Sequence, residues 1–141
     1  AFAAAHPVSA QDVKASIEKR QLTMKEFGEH FKAISAFLKR GEGSAEDIAK
    51  RAGEISAAAK MLPSMFPAKS GSNMVDNPTT KALAVIWSDR AKFESFAVTL
   101  DAEADKLQKV AMTGDKAAIG AQMGMIGKNA CGACHGTFRA K

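Results

Sequence analysis

Two cysteines and a histidine near the C-terminus form the pattern with the most specific chemistry in this sequence. Cys131, Cys134 and His135 make a Cys-x-x-Cys-His motif, and the chain has no other cysteine. On a helical turn, each thiol can form a thioether with one vinyl group of a haem, and the adjacent imidazole can then reach the iron from one face. The motif predicts one covalently bound haem c per chain, with His135 as the proximal ligand of the iron.

Other uses of this motif fit the sequence less well. A structural zinc site needs four ligands, and the remaining histidines, His6 and His30, are not at a spacing that completes one. A thioredoxin-like cysteine pair opens a helix after a strand, whereas this pair lies near the end of a helical segment. A disulfide between the two cysteines leaves His135 unexplained. A helical interaction module without a cofactor stays as an alternative.

Composition and charge limit the function classes. The chain has 141 residues, 46% apolar and 25% charged, which predicts a single globular domain over residues 1–141. The formal charge is +5, but the basic residues are scattered, so we expect no nucleic-acid binding. No apolar run approaches the ~20 residues of a membrane span. The sequence has no carboxylate pair of catalytic type and no phosphate-binding loop, so no motif in it indicates an enzyme.

Two segments with helical apolar spacing precede the centre of the chain. The first begins at Ser9, where a capping box is predicted, and its apolar stripe ends at the turn signal of Gly41. The second begins at Ser44 and ends at Pro63. Both segments predict long amphipathic helices.

Two further helical segments follow an irregular stretch over residues 63–78. The third is expected to begin near Thr79, and the fourth follows a turn at residues 113–115 and carries the cysteine motif. Four long helices with mostly short connections predict an all-α fold, an antiparallel up-down-up-down four-helix bundle.

The position of the motif resembles that in the class II cytochromes c, the family of cytochrome c′ and its low-spin relatives such as cytochrome c-556. In common small cytochromes c the motif lies near the N-terminus, whereas here it ends a four-helix chain. Weaker matching segments lie at residues 20–25, 62–67 and 86–89. The resemblance implies a periplasmic protein whose copies pair as a homodimer. The small residues at the start of the sequence agree with a removed signal peptide.

The residue opposite His135 decides between two functions. Rough bundle geometry brings Met24 nearer to the level of His135 than Met112 or Met123, while Met61, Met65 and Met74 flank or occupy the irregular stretch. In the family, the position that Met24 matches carries the methionine ligand in c-556-type proteins and a nonbonded apolar residue in cytochromes c′.

Two neighbours of Met24 are further candidates for haem binding. Arg20 lies one turn before Met24 on the same face, where a guanidinium can pair with a haem propionate. Arg20 and Gln21 both match positions that contact the haem in the family. We expect both residues to contact the haem.

These features lead to a main interpretation and an alternative. The main interpretation is a periplasmic one-electron carrier with a low-spin haem whose iron is bound by His135 and Met24, and which exchanges electrons with redox partner proteins. The alternative is a cytochrome c′-type protein with a five-coordinate, high-spin haem that binds nitric oxide or carbon monoxide. Both interpretations predict a protein that is not an enzyme.

Overall fold

The computed structural model describes residues 9–72 and 77–141, which form an antiparallel bundle of four long helices. His6 and Met74 lie outside the described residues. Within these ranges every helix is too short or too polar to cross a membrane. The prediction of an all-α four-helix bundle is confirmed. The helices are α1 (Ala10–Arg40), α2 (Ala45–Met61), α3 (Val85–Ser88), α4 (Arg90–Ala111), α5 (Lys116–Ile126) and α6 (Ala133–Phe138), and a π-helical segment, Gly127–Gly132, joins α5 to α6.

The ends of α1 and α2 follow the local signals of the sequence. The Ser9 hydroxyl accepts a hydrogen bond from the Asp12 amide at 3.1 Å, and the Asp12 carboxylate accepts from Ser9 in return. Gly41 ends α1 in the left-handed conformation, with φ of 68°, which glycine adopts without strain. The Ser44 hydroxyl caps α2 at its N-terminus. These capping groups satisfy amides and carbonyls that a helix end leaves unpaired.

The third long helix begins later than the sequence predicts. We expected it to begin near Thr79, but Thr80 is buried and its hydroxyl bonds the Ala82 amide and the Arg20 side chain. Ala82 also pairs with Arg139 in an isolated antiparallel bridge. Helix α3 is a single turn, and Asp89, with φ of −127° and ψ of 57°, interrupts the helix before α4. Tertiary bonds therefore override the helical spacing over residues 79–84.

The core lies between α2, α4 and the last long helix, which α5, the π-helical segment and α6 form together, and buried apolar residues of α1 join this core. Ile48 and Ile55 of α2 and Leu107 of α4 are fully buried, and α2 and α4 are the most closely packed pair of helices. The same pair is joined at its surface, where the Ser56 hydroxyl donates to the Asp101 carboxylate at 2.5 Å. Helix α1 approaches the backbone of α2 and of the short turn at residues 63–65, and it stands apart from α4 and α6.

A buried guanidinium fastens α1 to the segment between α2 and α3. Arg20 is 3% exposed and donates hydrogen bonds to the carbonyl oxygens of Met65 and Ser70 and to the hydroxyls of Ser70 and Thr80, at 2.5–3.2 Å. The guanidinium also lies 4.4 Å from the centre of the Phe66 ring. Burial lowers the pKa of Arg20 to about 10, so the side chain stays charged at neutral pH. This cation is satisfied by carbonyls, hydroxyls and an aromatic face.

The same segment is held from its other side by α3 and α4. Arg90 donates to the carbonyl oxygens of Pro63 at 2.6 Å and Phe66 at 3.0 Å, and the Trp87 indole donates to Phe66 at 3.1 Å. Arg20 and Arg90 therefore clamp residues 63–70 between two helices. This clamp sets the distance between α1 and α4 at one end of the bundle.

We expect Arg20→Met to lower the free energy of unfolding by about 2–4 kcal/mol, because it leaves several buried carbonyls and hydroxyls without a donor. Urea denaturation followed by circular dichroism measures this change. Lys14→Met is the matched control, since Lys14 is an exposed cation on the same helix, and its effect should stay within about 0.5 kcal/mol. Equal small effects of the two substitutions would contradict the clamp.

Candidate functional site

The space between α1 and the rest of the bundle is a groove of about 620 Å³. This volume lies within the ~300–1,000 Å³ range of cofactor and ligand sites. Its walls are mostly apolar, with Phe93 and Phe96 from α4, Phe138 from α6 and Phe66 from the clamped segment. These rings pack edge to face at centroid distances of 4.8–5.9 Å. The groove is therefore a rigid apolar cleft open on one side.

The cysteine motif lines this groove. Cys131, Cys134 and His135 all face it, together with Ala130, from the last long helix. Cys131 lies in the π-helical segment, whereas Cys134 and His135 lie in α6. A π-turn holds more residues than an α-turn, so it changes the rotation of α6 about the helix axis relative to α5. The widened turn thus helps to set the direction in which the motif points.

Gly132, between the two cysteines, is required by the π-helical segment. A Cβ atom on Gly132 would lie 2.9 Å from the carbonyl oxygen of Gly127, closer than real Cβ atoms approach a backbone oxygen. The Gly132 dihedrals are ordinary helical values, so the requirement is one of space and not of conformation. The motif therefore requires a glycine at position 132, because any side chain there would collide with the helix backbone.

Both thiols are half-buried and unpaired with each other. Burial raises the pKa of Cys131, and it raises the pKa of Cys134 to about 11, with the neighbouring Cys131 adding to the second shift. At neutral pH both side chains are uncharged thiols, which suits an apolar groove. Because the thiolate is the reactive form in disulfide exchange and oxidation, the two side chains are also protected from both reactions.

His135 presents a neutral imidazole to the groove. Burial lowers the pKa of His135 below its ordinary value, and the positive charge of Arg139 lowers it further. A histidine binds a metal only in its neutral form, since the protonated ring has no free lone pair. The environment therefore favours the protonation state that an iron ligand requires.

Helix α1 supplies the wall on the other side of the groove. Met24 and Phe31 are half-buried and pack against the apolar core, and Phe27 is buried. Gly28 also lines the groove, and a Cβ atom on it would meet no heavy atom within 4 Å. A glycine in a helix interior costs about 1 kcal/mol relative to alanine, and no protein contact explains it here.

Arg20 and Gln21, predicted to contact the haem, both line the groove. The two terminal nitrogens of Arg20 are bonded to the clamped segment, and Gln21 donates its side-chain amide to the Thr79 carbonyl at 3.0 Å. Lys81 lines the same rim, and sequence reasoning missed it together with the acceptor role of Ser70. Ser70 accepts from Arg20, which is 50 residues away along the chain, so no local pattern marks Ser70.

The donor set fits a covalently held haem better than a bare metal ion. Over residues 9–72 and 77–141, no group of three or more histidine, cysteine, aspartate or glutamate side chains is arranged to hold a metal. Two neutral thiols and one neutral imidazole in a large apolar cleft match the needs of a flat, apolar macrocycle with one axial nitrogen ligand. A structural zinc site would need four close donors.

Comparison with known proteins agrees with this geometry. A family model described as Cytochrome C′ matches residues 15–139. A cytochrome c′ of Pararhodospirillum photometricum is 34% identical over 126 residues, covering 89% of this chain and 97% of the relative. A cytochrome c-556 of Agrobacterium tumefaciens (strain II Chrys) has the same identity and coverage. A solved cytochrome c′, described as having an unusual ligand-controlled dimer dissociation, is 26% identical with a TM-score of 0.82, over 96% of this chain and all of that one.

The main functional interpretation from the sequence is wrong. We expected a low-spin electron carrier with His135 and Met24 on the iron, but the matching family model is that of cytochrome c′, and the solved relative is also a cytochrome c′. These findings favour the five-coordinate, high-spin alternative. In the structure, Met24 packs half-buried against the apolar core as part of the groove wall. The sequence could not separate the two cases, because a methionine at this position suits either one.

We expect Gly132→Ala to lower the free energy of unfolding by about 1–3 kcal/mol, because the added methyl group displaces the Gly127 carbonyl. It should also lower the fraction of chains that carry covalent haem, measured by the ratio of haem to protein absorbance. Gly124→Ala is the control, since its Cβ meets nothing within 4 Å. A Gly132→Ala protein with unchanged stability and haem content would disprove the steric requirement.

Proposed function

The chain belongs to the cytochrome c′ family, and from this premise we propose that it binds nitric oxide or carbon monoxide at a five-coordinate, high-spin haem iron. Members of this family carry one covalently attached haem c, with its iron, in each chain, and so does this protein. The observation that carries the proposal is that one groove is lined by two thiols, an imidazole and the apolar side chain of a methionine, which belong to Cys131, Cys134, His135 and Met24. The bound haem supplies an iron centre that can take a diatomic gas.

The last helix holds the cofactor in this proposal. Cys131 and Cys134 would each hold the haem through one thioether, which addition of the S–H bond across a vinyl group supplies with nothing released. His135 would bind the iron through a neutral imidazole nitrogen, which the lowered pKa of the ring keeps available. Because both cysteines and the histidine lie on one stretch of helix, tethering and axial ligation are fixed together.

The first helix covers the opposite side of the groove. Met24 acts there as an apolar side chain that excludes water, and Phe27 and Phe31 extend the same surface. Arg20 and Gln21 contact the haem from the rim, where Arg20 is already bonded to the clamped segment and Gln21 to the Thr79 carbonyl. An apolar, water-poor site favours neutral diatomic ligands over charged ones.

The wider setting follows from the family in the same proposal. Residues 1–141 form one domain of a periplasmic protein, and the chain pairs with a second copy as a homodimer. Redox partner proteins set the oxidation state of its iron. The protein binds its ligand without turnover and is not an enzyme.

A spectrum of the haem-loaded protein tests the proposal. The ferric and ferrous forms should give broad high-spin bands, and carbon monoxide should shift the ferrous Soret band. Met24→Leu should keep both properties, because the replacement is an apolar side chain of similar size. Sharp low-spin bands that ignore carbon monoxide, or a change of spin state in Met24→Leu, would contradict five-coordination.

Substitution of the cysteines tests the attachment. We expect the double variant Cys131→Ala/Cys134→Ala to lose haem from the denatured chain, while each single variant keeps part of it through the remaining thioether. Haem staining of a denaturing gel measures this. Ser95→Ala, an exposed change on α4, is the control and should stain as the wild type does. Staining of the denatured double variant would refute the thioether assignment.

A further inference from the structure

We propose that Lys81 is the cation that pairs with a propionate of the bound haem, at the rim of the groove. Haem carries propionate side chains, and their carboxylates are charged at neutral pH. The inference rests on the haem-holding groove of the proposed function and adds to it a residue that binds the cofactor. It does not depend on which gas the iron takes.

The charged side chains that line the groove are all cationic. They belong to Arg20, Lys81 and Arg139, and among the described residues of the lining there is no aspartate or glutamate. The rest of the lining is mostly apolar, and a carboxylate placed against apolar groups loses its hydration without compensation. A propionate therefore has to reach a part of the rim that carries a cation, which leaves these three residues as partners.

Arg20 has little capacity left for a propionate. One of its terminal nitrogens donates to the Met65 carbonyl and the Ser70 hydroxyl, and the other donates to the Ser70 carbonyl and the Thr80 hydroxyl, at 2.5–3.2 Å. These bonds use the terminal N–H groups of the guanidinium and leave the Nε–H group. The pair of N–H groups with which arginine grips a carboxylate at both oxygens is therefore committed to the fold.

The two remaining cations lie at different places on the rim. Burial lowers the pKa of His135 and the positive charge of Arg139 lowers it further, so this guanidinium stands near the proximal imidazole. Lys81 instead directly follows the two threonines that accept hydrogen bonds from Arg20 and Gln21. Lys81 therefore lies at the part of the rim where α1 is expected to contact the haem.

The backbone fixes Lys81 between the first and the last helix. Its carbonyl accepts a hydrogen bond from the Ala140 amide at 2.8 Å, and the next residue forms an antiparallel bridge with Arg139. On the other side, the hydroxyl of the preceding Thr80 accepts from Arg20 at 2.8 Å. Only the lysine side chain therefore has to become ordered when the pair forms, which keeps the entropic cost small.

The expected pair also affects the iron. The ammonium group of a lysine is a compact charge that donates hydrogen bonds to a carboxylate. A carboxylate with no cation beside it stabilises the ferric iron, because the ferric centre carries more positive charge than the ferrous centre. By compensating this negative charge, Lys81 favours the ferrous state, to which carbon monoxide binds.

Resonance Raman spectroscopy of the ferric, haem-loaded protein tests the pair, because the propionate bending modes report hydrogen bonding to the carboxylates. We expect Lys81→Met to shift one of these modes to lower frequency and Lys81→Arg to keep it near its wild-type position. Lys92→Met is the matched control, since Lys92 is an exposed lysine of α4 outside the groove lining, and it should leave the modes unchanged. The thioethers hold the haem in each variant, so loss of the pair does not remove the cofactor.

A redox titration gives a second readout, which a merely structural role would not move. Lys81→Met should lower the reduction potential of the iron more than Lys92→Met does, because it leaves a propionate charge without its cation. The difference between the two variants should shrink at high salt, which screens the exposed carboxylate. Lys81→Arg should restore the wild-type potential.

The outcomes distinguish this inference from the proposed function. If Lys81→Met leaves the propionate modes unchanged, or if only Arg139→Met shifts one of them, the inference is wrong and the gas-binding function stands. If the wild type does not bind carbon monoxide, the function fails, and a shifted mode in Lys81→Met still supports the pair. If Lys81→Met does not yield haem-loaded protein, Lys81→Ala takes its place, and an unchanged mode there overturns the inference.

Discussion

A buried cation fastens the N-terminal half of the first helix to the bundle, while Ile34 and Phe37 pack the C-terminal half into the core. Arg20 is charged and nearly inaccessible to water, and it is stabilised by four hydrogen bonds to the segment after α2 and by the Phe66 ring. Elsewhere α1 approaches the bundle mainly through α2. Without this anchor, the apolar face of α1 would be free to close onto α4 and remove the groove. The guanidinium thus keeps two apolar surfaces apart, against the hydrophobic effect that would bring them together.

The groove that results controls protonation as well as shape. Burial in it keeps the thiols of Cys131 and Cys134 uncharged and favours a neutral His135 ring. The same low polarity suits a macrocycle and a gas ligand and disfavours ions. One property, the exclusion of water by aromatic and aliphatic side chains, therefore acts on the attachment, on the proximal ligand and on ligand choice.

The sequence predicts the features that depend on neighbouring residues. The caps at Ser9 and Ser44, the turn at Gly41 and the cysteine motif are all local patterns, and the structure has each of them. The predicted start of the third long helix, near Thr79, is too early, because the hydrogen bond that Arg20 donates to Thr80 holds that segment out of the helix. These partners are 60 residues apart, a distance at which spacing carries no information.

The coordination of the iron lies beyond sequence patterns for a different reason. Methionine is both an iron ligand and an ordinary apolar side chain, so its identity at position 24 is compatible with two spin states. Which one applies depends on how far α1 stands from the last helix, and long-range contacts such as those of Arg20 help to fix the position of α1. A prediction from Met24 alone omits the residues that decide the question.

The widened turn before α6 also constrains how this helix can change in length. An α-helix advances about 100° per residue and a π-turn less, so losing one residue from Gly127–Gly132 would restore α-helical winding with both sulfurs and the imidazole still facing the cleft, whereas adding one residue would turn them away from it. Whole-turn changes would keep their direction but shift them along the axis. Relatives with this attachment should therefore tolerate insertions in the connecting loops and resist them in this short stretch of the final helix.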